Sequence, residues 1–284
     1  MTCTVCNFPL SAGLSAWHRT CRRCAYESAS LAIAINDAAV HDVVDENARE
    51  LALRALRQQN FRKIVALARE HAAPGARMLL DVGSAHGWFL EAAAEQFEAC
   101  GIEPDEGVAQ HSLARGLPVR VGFFPQVLDA GERFDVIVFN DVIEHIPDIR
   151  AALRDCHARL PPGGTLVLNL PSSQGLFYRL SKLMARLGLR GPFDRLWQVG
   201  MPSPHVHYFT PDNLAQLVQG EGFSLRHQSE LQVVSADGLW QRLTMVGQVN
   251  RVSAALQYVL IRAGVLPLAR LFPSDIMVCI FSKR

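Results

Sequence analysis

Apolar residues fall along the chain in five short runs, with helical stretches between them. MLLDV (78–82), EACGIEP (98–104), PVRVG (118–122), FDVIVFN (134–140) and TLVLNLP (165–171) read as strands. WFLEAAAEQF (88–97), a stretch ending at Leu113, and DIRAALRDCHARL (148–160) read as helices. Runs that stay apolar throughout, separated by helices, predict a parallel sheet covered on both faces. Ahead of the first run, Leu51, Leu53, Leu56, Phe61, Ile64, Val65, Leu67 and Ala68 recur near helical spacing from Glu46 to about His71. Pro74 and Gly75 end that helix. Behind the fifth run, LFYRLSKLMARLGL (176–189) predicts an amphipathic helix. Another helix starts near Pro211, a strand follows Gly222, a helical insertion covers about 239–270, and SDIMVCIFSKR predicts a final strand.

The first run ends in a loop of small residues, from Asp81 through Gly83, Ser84 and Ala85 to Gly87. Ligands bind an open parallel sheet beyond the carboxyl ends of its strands, and small residues there let the backbone approach a ligand. Glu103 ends the second run, 20 residues after Gly83. A carboxylate at that distance can accept both hydroxyls of a ribose. The loop matches neither G-x-G-x-x-G nor a phosphate loop ending in GK[ST], so the expected nucleoside ligand lacks a pyrophosphate.

LLDVGSAHG, GIEP, FDVIVFNDVIEHIPD and LPPGGTLVLNLP, in that order over about residues 75–172, together resemble the class I S-adenosylmethionine-dependent methyltransferases of the small-molecule type. HVHYFTPDNLAQLVQGEGF extends the likeness to a subgroup with a histidine-bearing segment before the sixth strand. The resemblance implies an α/β, Rossmann-like, seven-stranded, mostly parallel sheet with an antiparallel last strand. It implies S-adenosylmethionine as cofactor. Asp81, Gly83, Ser84, Ala85 and Gly87 would line its methionine part, Glu103 would take the ribose with Pro104 following, and Asn140 and Asp141 would flank the sulfonium. Two positions depart from the pattern: Ala85 stands where many members have glycine, and GFF (122–124) stands where an acid often meets the adenine amino group. Phe124 or Phe123 would stack on the ring instead.

NDVIEH (140–145) places Asp141, Glu144 and His145 just past the sheet edge. Methyl transfer needs in-line geometry above all, and a hydroxyl acceptor gains from a base. His145 is the first candidate for general base or substrate orienter; the plainer alternative has Glu144 and His145 bonded internally. A third reading follows from the resemblance: Asp141, Glu144 and His145 are similar to the acid–acid–His set of some quinone-pathway O-methyltransferases, which would suit a divalent cation polarising a catechol. His205 and His207 alternate in HVHYF, so an extended segment would turn both to one side and Tyr208 to the other. In the subgroup it resembles, this segment closes over the substrate, which makes His207 a catalytic candidate. NDVIEH is not the Asn/Asp-Pro-Pro-aromatic motif of enzymes acting on exocyclic base amines, which favours an oxygen or carbon nucleophile in a small molecule.

Four of seven cysteines lie within the first 24 residues, as Cys3-x2-Cys6, fourteen residues, then Cys21-x2-Cys24. That spacing predicts a four-thiolate zinc ribbon, and closed four-sulfur coordination predicts a structural ion. Cys100, Cys156 and Cys279 sit in apolar segments and read as core. Ribosomal-RNA methyltransferases with a zinc ribbon make RNA a rival acceptor, and a non-catalytic zinc-bearing module is a further alternative. Residues 1–30, however, hold three Arg against Glu27, and the whole chain of 284 residues carries a net charge of +1, which argues against nucleic acid as a partner. A scaffold or substrate-capping role is expected for the head.

The predicted division is a zinc ribbon (1–28), a helical linker or cap (29–74) and a methyltransferase domain (75–284) with helical insertions at about 174–200 and 239–273. The first insertion carries Arg179, Lys182, Arg186, Arg190 and Arg195 against Asp194; the second carries Arg242, Arg251, Arg262 and Arg270 and no acid. Such helices either cap the substrate side of the sheet or touch an anionic membrane from within the cell. No signal-peptide pattern follows Met1, so a cytoplasmic, thiol-reducing location is expected.

Overall fold

A computed structural model describes residues 1–35, 46–232 and 271–284, with single residues and one short stretch between 255 and 267; for 46–55 it describes backbone only. The insertion predicted at 239–273 therefore lies largely outside the described residues. Three short strands open the chain: β1 (Leu10–Ala12), β2 (His18–Cys21) and β3 (Glu27–Ala29). Helix α1 (Glu46–His71) leads to β4 (Met78–Val82), α2 (Trp88–Ala93), β5 (Glu98–Glu103), α3 (Glu106–Ala114) and β6 (Val119–Val121). Then come β7 (Val136–Asn140), a 3-10 turn (Ile143–His145), α4 (Ile149–Arg159), β8 (Thr165–Pro171), α5 (Leu176–Arg186) and α6 (Gly191–Leu196). The two-residue β9 (His207–Tyr208), α7 (Pro211–Gly220), β10 (Phe223–Glu230) and β11 (Ile276–Lys283) complete the order.

Seven strands form one sheet in the order β10-β11-β8-β7-β4-β5-β6. β4, β5, β6, β7 and β8 pair in parallel, and β11 is antiparallel to both β8 and β10. This is the expected Rossmann-like sheet with its antiparallel last strand. Alternate residues of each central strand enter different cores, which is why the runs read as apolar throughout. Leu79, Val136, Val138, Val167, Val278 and Ile280 meet Ile64, Val65, Ala68, Phe89 and Ala93 of α1 and α2. Leu80, Ile137, Phe139, Leu166, Leu168, Cys279 and Phe281 meet Ile149, Leu153, Cys156, Leu214 and Leu217 of α4 and α7 on the other face. Both readings of Cys156 and Cys279 as core residues agree with their full burial.

The cysteine head does not stand apart from this body. Cys3, Val5, Cys21 and Tyr26 belong to the same buried cluster as Leu170, Phe209 and Leu214. β3 pairs with β9, so the head's sheet runs β1-β2-β3-β9 and takes its fourth strand from a segment 178 residues later, counted from Ala29 to His207. The division expected at residue 28 falls inside this shared sheet.

The crossing of the chain at β4 positions the site. β4 has β5 on one side and β7 on the other, so the connections leave it in opposite directions and open a crevice at its carboxyl end. Gly101 of β5 lies opposite Asp81, and a Cβ there would sit 2.6 Å from Ser84 Cβ and 2.9 Å from Leu90 Cδ1. The crevice loop can fold over β5 only because this position has no side chain. Gly101→Ala is expected to lower stability by about 1–3 kcal/mol, read as a fall in the denaturant midpoint; an unchanged midpoint would show that the loop moves aside freely.

Candidate active site

The loop after β4 is bonded to β5 rather than left open. Gly83 N–H and Ser84 N–H both donate to the Ile102 carbonyl, at 2.8 and 2.9 Å. Ala85 N–H donates to Glu103 Oε2 at 2.8 Å, and Asp105 N–H donates to Glu103 Oε1 at 2.9 Å. Gly83 (φ 75°), Ala85 (φ 43°) and Gly87 (φ 74°) all adopt left-handed backbone. At Gly83 a Cβ would meet Val142 Cγ2 at 2.4 Å, so the close approach of the β4 and β7 loops requires glycine. The alanine at 85 keeps the same turn and is held there by the Glu103 carboxylate.

Asp81 is 1% exposed, and Asn140 Nδ2 donates to its Oδ1 at 3.1 Å, joining the ends of β4 and β7. Burial pushes the Asp81 carboxyl up to about 7 against that hydrogen bond, and the nearby Glu103 charge adds to the rise. Burial also raises Glu103, although two backbone N–H groups oppose it. Each Glu103 oxygen keeps lone pairs beyond those bonds. The Asn140 Oδ1 and Ser84 Oγ atoms are buried with no hydrogen-bond partner among the described residues. A left-handed loop with glycine at 83 and 87, a buried acid and polar atoms without partners among the described residues, all at one strand end, fit a bound polar ligand such as S-adenosylmethionine. Asp81, Gly83, Ser84, Ala85, Gly87, Glu103, Pro104 and Asn140 thus gather at the ends of β4, β5 and β7. The Phe124 ring packs edge-on to Phe139 of the core at 5.7 Å, whereas Phe123 is exposed.

Beyond β7 the chain makes a second left-handed turn at Asp141 (φ 54°), whose N–H donates to the Asn169 carbonyl at 2.8 Å. Asp141 is exposed at the mouth of the crevice, while Glu144, in the following 3-10 turn, is 1% exposed. Among the described residues neither Glu144 oxygen has a hydrogen-bond partner. Burial, reinforced by Asp141, raises its carboxyl well above the ordinary range. His145 Nδ1 bonds the Pro204 carbonyl at 3.0 Å, which leaves Nε2 facing Glu144 Oε1 at 3.9 Å. His205 Nε2 lies 3.8 Å from the same oxygen, and the two imidazoles meet edge to face at 4.7 Å. Burial lowers His145 despite its carbonyl partner, and burial with His145 beside it lowers His205 to about 3, so both rings are neutral near pH 7.

His205 and His207 meet different partners, His205 packing on His145 and Tyr208 and His207 on Tyr26 and Phe209. The His207 ring points at Tyr26 and Phe209, and both its nitrogens are engaged, Nδ1 by Tyr26 Oη and Nε2 by the Ile146 carbonyl at 2.9 Å. The structure places His205 beside His145 and gives His207 an internal bonding role. Spacing along the chain gave no sign of this. Gln198, which donates to His205 Nε2 at 3.0 Å, and Tyr26 were likewise invisible as site residues.

In the head, Cys3 and Cys24 sulfurs lie 3.5 Å apart, as do those of Cys6 and Cys21, and all four lie within 4.8 Å of one another. A tetrahedral ion with bonds of about 2.3 Å needs sulfurs about 3.8 Å apart, so the set fits zinc. Each Cys-x-x-Cys turn closes with a left-handed residue, Asn7 (φ 60°) and Ala25 (φ 59°), whose N–H groups return to the Cys3 and Cys21 carbonyls. Alanine in that conformation costs about 1–2 kcal/mol, which sulfur coordination would offset.

The buried Asp81 sets a pH dependence. Between the ordinary value of 3.8 and about 7 the folded protein keeps a proton on Asp81 that the unfolded chain has released, so stability of the empty protein falls as pH rises through that window. An ammonium group in the crevice favours the carboxylate, so cofactor affinity is expected to rise about tenfold from pH 6 to 8. Titration calorimetry would show that slope in the native chain and its loss in Asp81→Asn. A slope that survives the substitution would assign the titration elsewhere.

Residues 49–228 match the family described as "Methyltransferase domain". A ubiquinone biosynthesis O-methyltransferase of Paramagnetospirillum magneticum is 43% identical over 170 residues, covering 57% of this chain and 66% of that relative. One from Ruegeria pomeroyi is 30% identical over 151 residues, covering 51% and 58%. The chain thus spans less than two thirds of either relative. Among solved structures, a methyltransferase of Thermotoga maritima described as a possible histamine N-methyltransferase aligns with a TM-score of 0.54 at 16% identity, over 85% of this chain and 96% of that one. The cyclopropane synthase MmaA2 of Mycobacterium tuberculosis aligns at 0.51 and 22%, over 77% and 81%. At such identities the structural likeness speaks for the fold, while the matched domain, the crevice and the sequence relatives agree on the family. The chain belongs to the class I S-adenosylmethionine-dependent methyltransferases.

Proposed function

We propose that the protein transfers a methyl group from S-adenosylmethionine to a hydroxyl oxygen of a small molecule, the reaction type in its relatives' names. The observation that carries this reading is the neutral His145 imidazole, held through Nδ1 by Pro204, in the 3-10 turn that follows the strand bordering the cofactor crevice. When bound, the cofactor supplies an electrophilic methyl on a sulfonium. The loop at 83–87 would line the crevice for it, Asp81 would hold its methionine part, and Glu103 would take the ribose. His145 Nε2 accepts the acceptor's proton, and the Nδ1 bond to Pro204 fixes the tautomer that makes this possible. The zinc of the head, held by Cys3, Cys6, Cys21 and Cys24, is structural.

A second reading rests on Glu144. Its buried, unpartnered carboxylate with His145 and His205 forms a three-donor set whose ligand atoms lie within 4.8 Å of one another. A divalent cation there would polarise the acceptor oxygen; His205 takes the third place in that set, in contrast to the Asp141 expected from the sequence.

Among the described residues no helix is long and apolar enough to cross a membrane. α5 nonetheless exposes Leu180 and Leu183, followed by exposed Leu187 and Leu189, among Arg179, Arg186 and Arg190. We assign this face to contact with an anionic bilayer, which suits an apolar acceptor.

Labelled methyl transfer to phenolic and catecholic acceptors tests the reaction. His145→Ala is expected to lower kcat by about 10²–10⁴ with cofactor affinity nearly unchanged; a collapse of cofactor affinity instead would remove His145 from the chemistry. Dialysis against a chelator too weak for a four-thiolate site separates the readings, since loss of activity restored by magnesium or manganese favours the cation. Vesicle flotation tests the membrane face: the native chain should float with phosphatidylglycerol vesicles and not with phosphatidylcholine, and Leu183→Glu should stay at the bottom. Equal flotation of both proteins would move the contact elsewhere.

A further inference from the structure

Nothing in the family's chemistry calls for a cysteine head, yet the head is bonded into the acceptor side of the site. We infer that the four-cysteine head is the clamp that sets the His145 loop, with Tyr26 and His207 as positioning residues between them. The inference rests on the methyl-transfer reading for its functional consequence.

The connection can be followed bond by bond. Tyr26 follows the second cysteine turn by two residues, and its carbonyl accepts the Cys21 N–H at 2.7 Å. Its hydroxyl bonds His207 Nδ1, and His207 Nε2 bonds the carbonyl of Ile146, the residue next to His145. A neutral imidazole does both at once, accepting from the phenol and donating to the carbonyl. β3 pairs with β9 in the register Glu27–Tyr208 and Ser28–His207, and Ala29 N–H donates to the Val206 carbonyl at 3.0 Å. Val206 N–H in turn donates to the Glu144 carbonyl at 2.9 Å. Segment 205–209 is therefore a strip held on one edge by the head and on the other by the 3-10 turn that carries Glu144 and His145.

A second fastening lies beside the first. Glu27 is buried and accepts from His18 Nε2 at 2.8 Å, Tyr178 Oη at 2.9 Å and Lys182 Nζ at 2.6 Å. His18 and Glu27 come from the head, Tyr178 and Lys182 from α5. Trp17 of the head packs against Phe193 and Trp197, next to the stretch whose Gln198 holds His205. The loop after β4 is pinned elsewhere, its Gly83, Ser84 and Ala85 N–H groups bonded to Ile102 and Glu103 of β5. The head thus holds the acceptor wall and leaves the cofactor crevice to the sheet.

The test uses the full chain, with zinc removed by a strong chelator under reducing conditions and zinc content measured by mass spectrometry. Hydrogen exchange should speed at least tenfold in 143–148 and 205–209 and stay within threefold in 79–90. Cofactor affinity should change less than threefold, while methyl transfer falls at least tenfold. Tyr26→Phe keeps all four thiols and the ring and removes one link; it should retain zinc and cofactor affinity, speed exchange in 143–148, and lower kcat about three- to tenfold. Unchanged exchange in 143–148 in both the zinc-free protein and Tyr26→Phe would overturn the clamp, as would uniform loss of protection including 79–90. The exchange readout needs no acceptor, so an inactive protein that shows the local pattern would refute the methyl-transfer reading and leave the clamp standing.

Discussion

The constraint on which the site depends is the bonding of the loop after β4 to the neighbouring strand. Gly83, Ser84 and Ala85 spend their N–H groups on Ile102 and Glu103. That draws the loop across β5, over the bare backbone of Gly101, and keeps the crevice open between β4 and β7. Backbone N–H groups in a buried loop must find acceptors, and a strand edge with one carbonyl and one carboxylate supplies all three. Asp81 and Asn140 then face each other across the opening, each with more polar capacity than its neighbours fill.

The polar accounting of the molecule is uneven, and the unevenness follows function. Glu27, buried in the head, has three donors; Glu144, equally buried, has none. Burial alone would raise both carboxyls, but the His18 bond and the Lys182 charge bring Glu27 below its ordinary range, while Asp141 pushes Glu144 further up. Fully paired buried acids lock structure, and unpaired ones await a proton or a ligand. The first ties the head to α5, and the second faces His145 and His205.

The four-cysteine head is built into the body rather than appended to it. A ribbon of about 30 residues buries too little to fold strongly alone. Here Cys3, Val5, Cys21 and Tyr26 are completed by Leu170, Phe209 and Leu214 of the body, and the body's short β9 is completed by β3. Each part supplies what the other lacks, a shared apolar cluster and a shared strand edge.

What the sequence determined by itself was everything written in local period or short spacing. The apolar runs at 78–82, 134–140 and 165–171 announced a sheet buried on both faces, and the structure divides their strand residues alternately between two cores. The small residues at 83–87 with Glu103 located the crevice, and two Cys-x-x-Cys pairs located the head, because backbone geometry and metal coordination act within a few residues. Only the tertiary structure decided that His205 joins His145 while His207 turns to Tyr26, since their partners lie 60 and 181 residues away along the chain (205 − 145; 207 − 26). It also decided that Phe124 packs inward on Phe139 and that the head shares the body's core. A side chain's direction at a strand end depends on which distant surface is there to receive it, and no period along the chain encodes that.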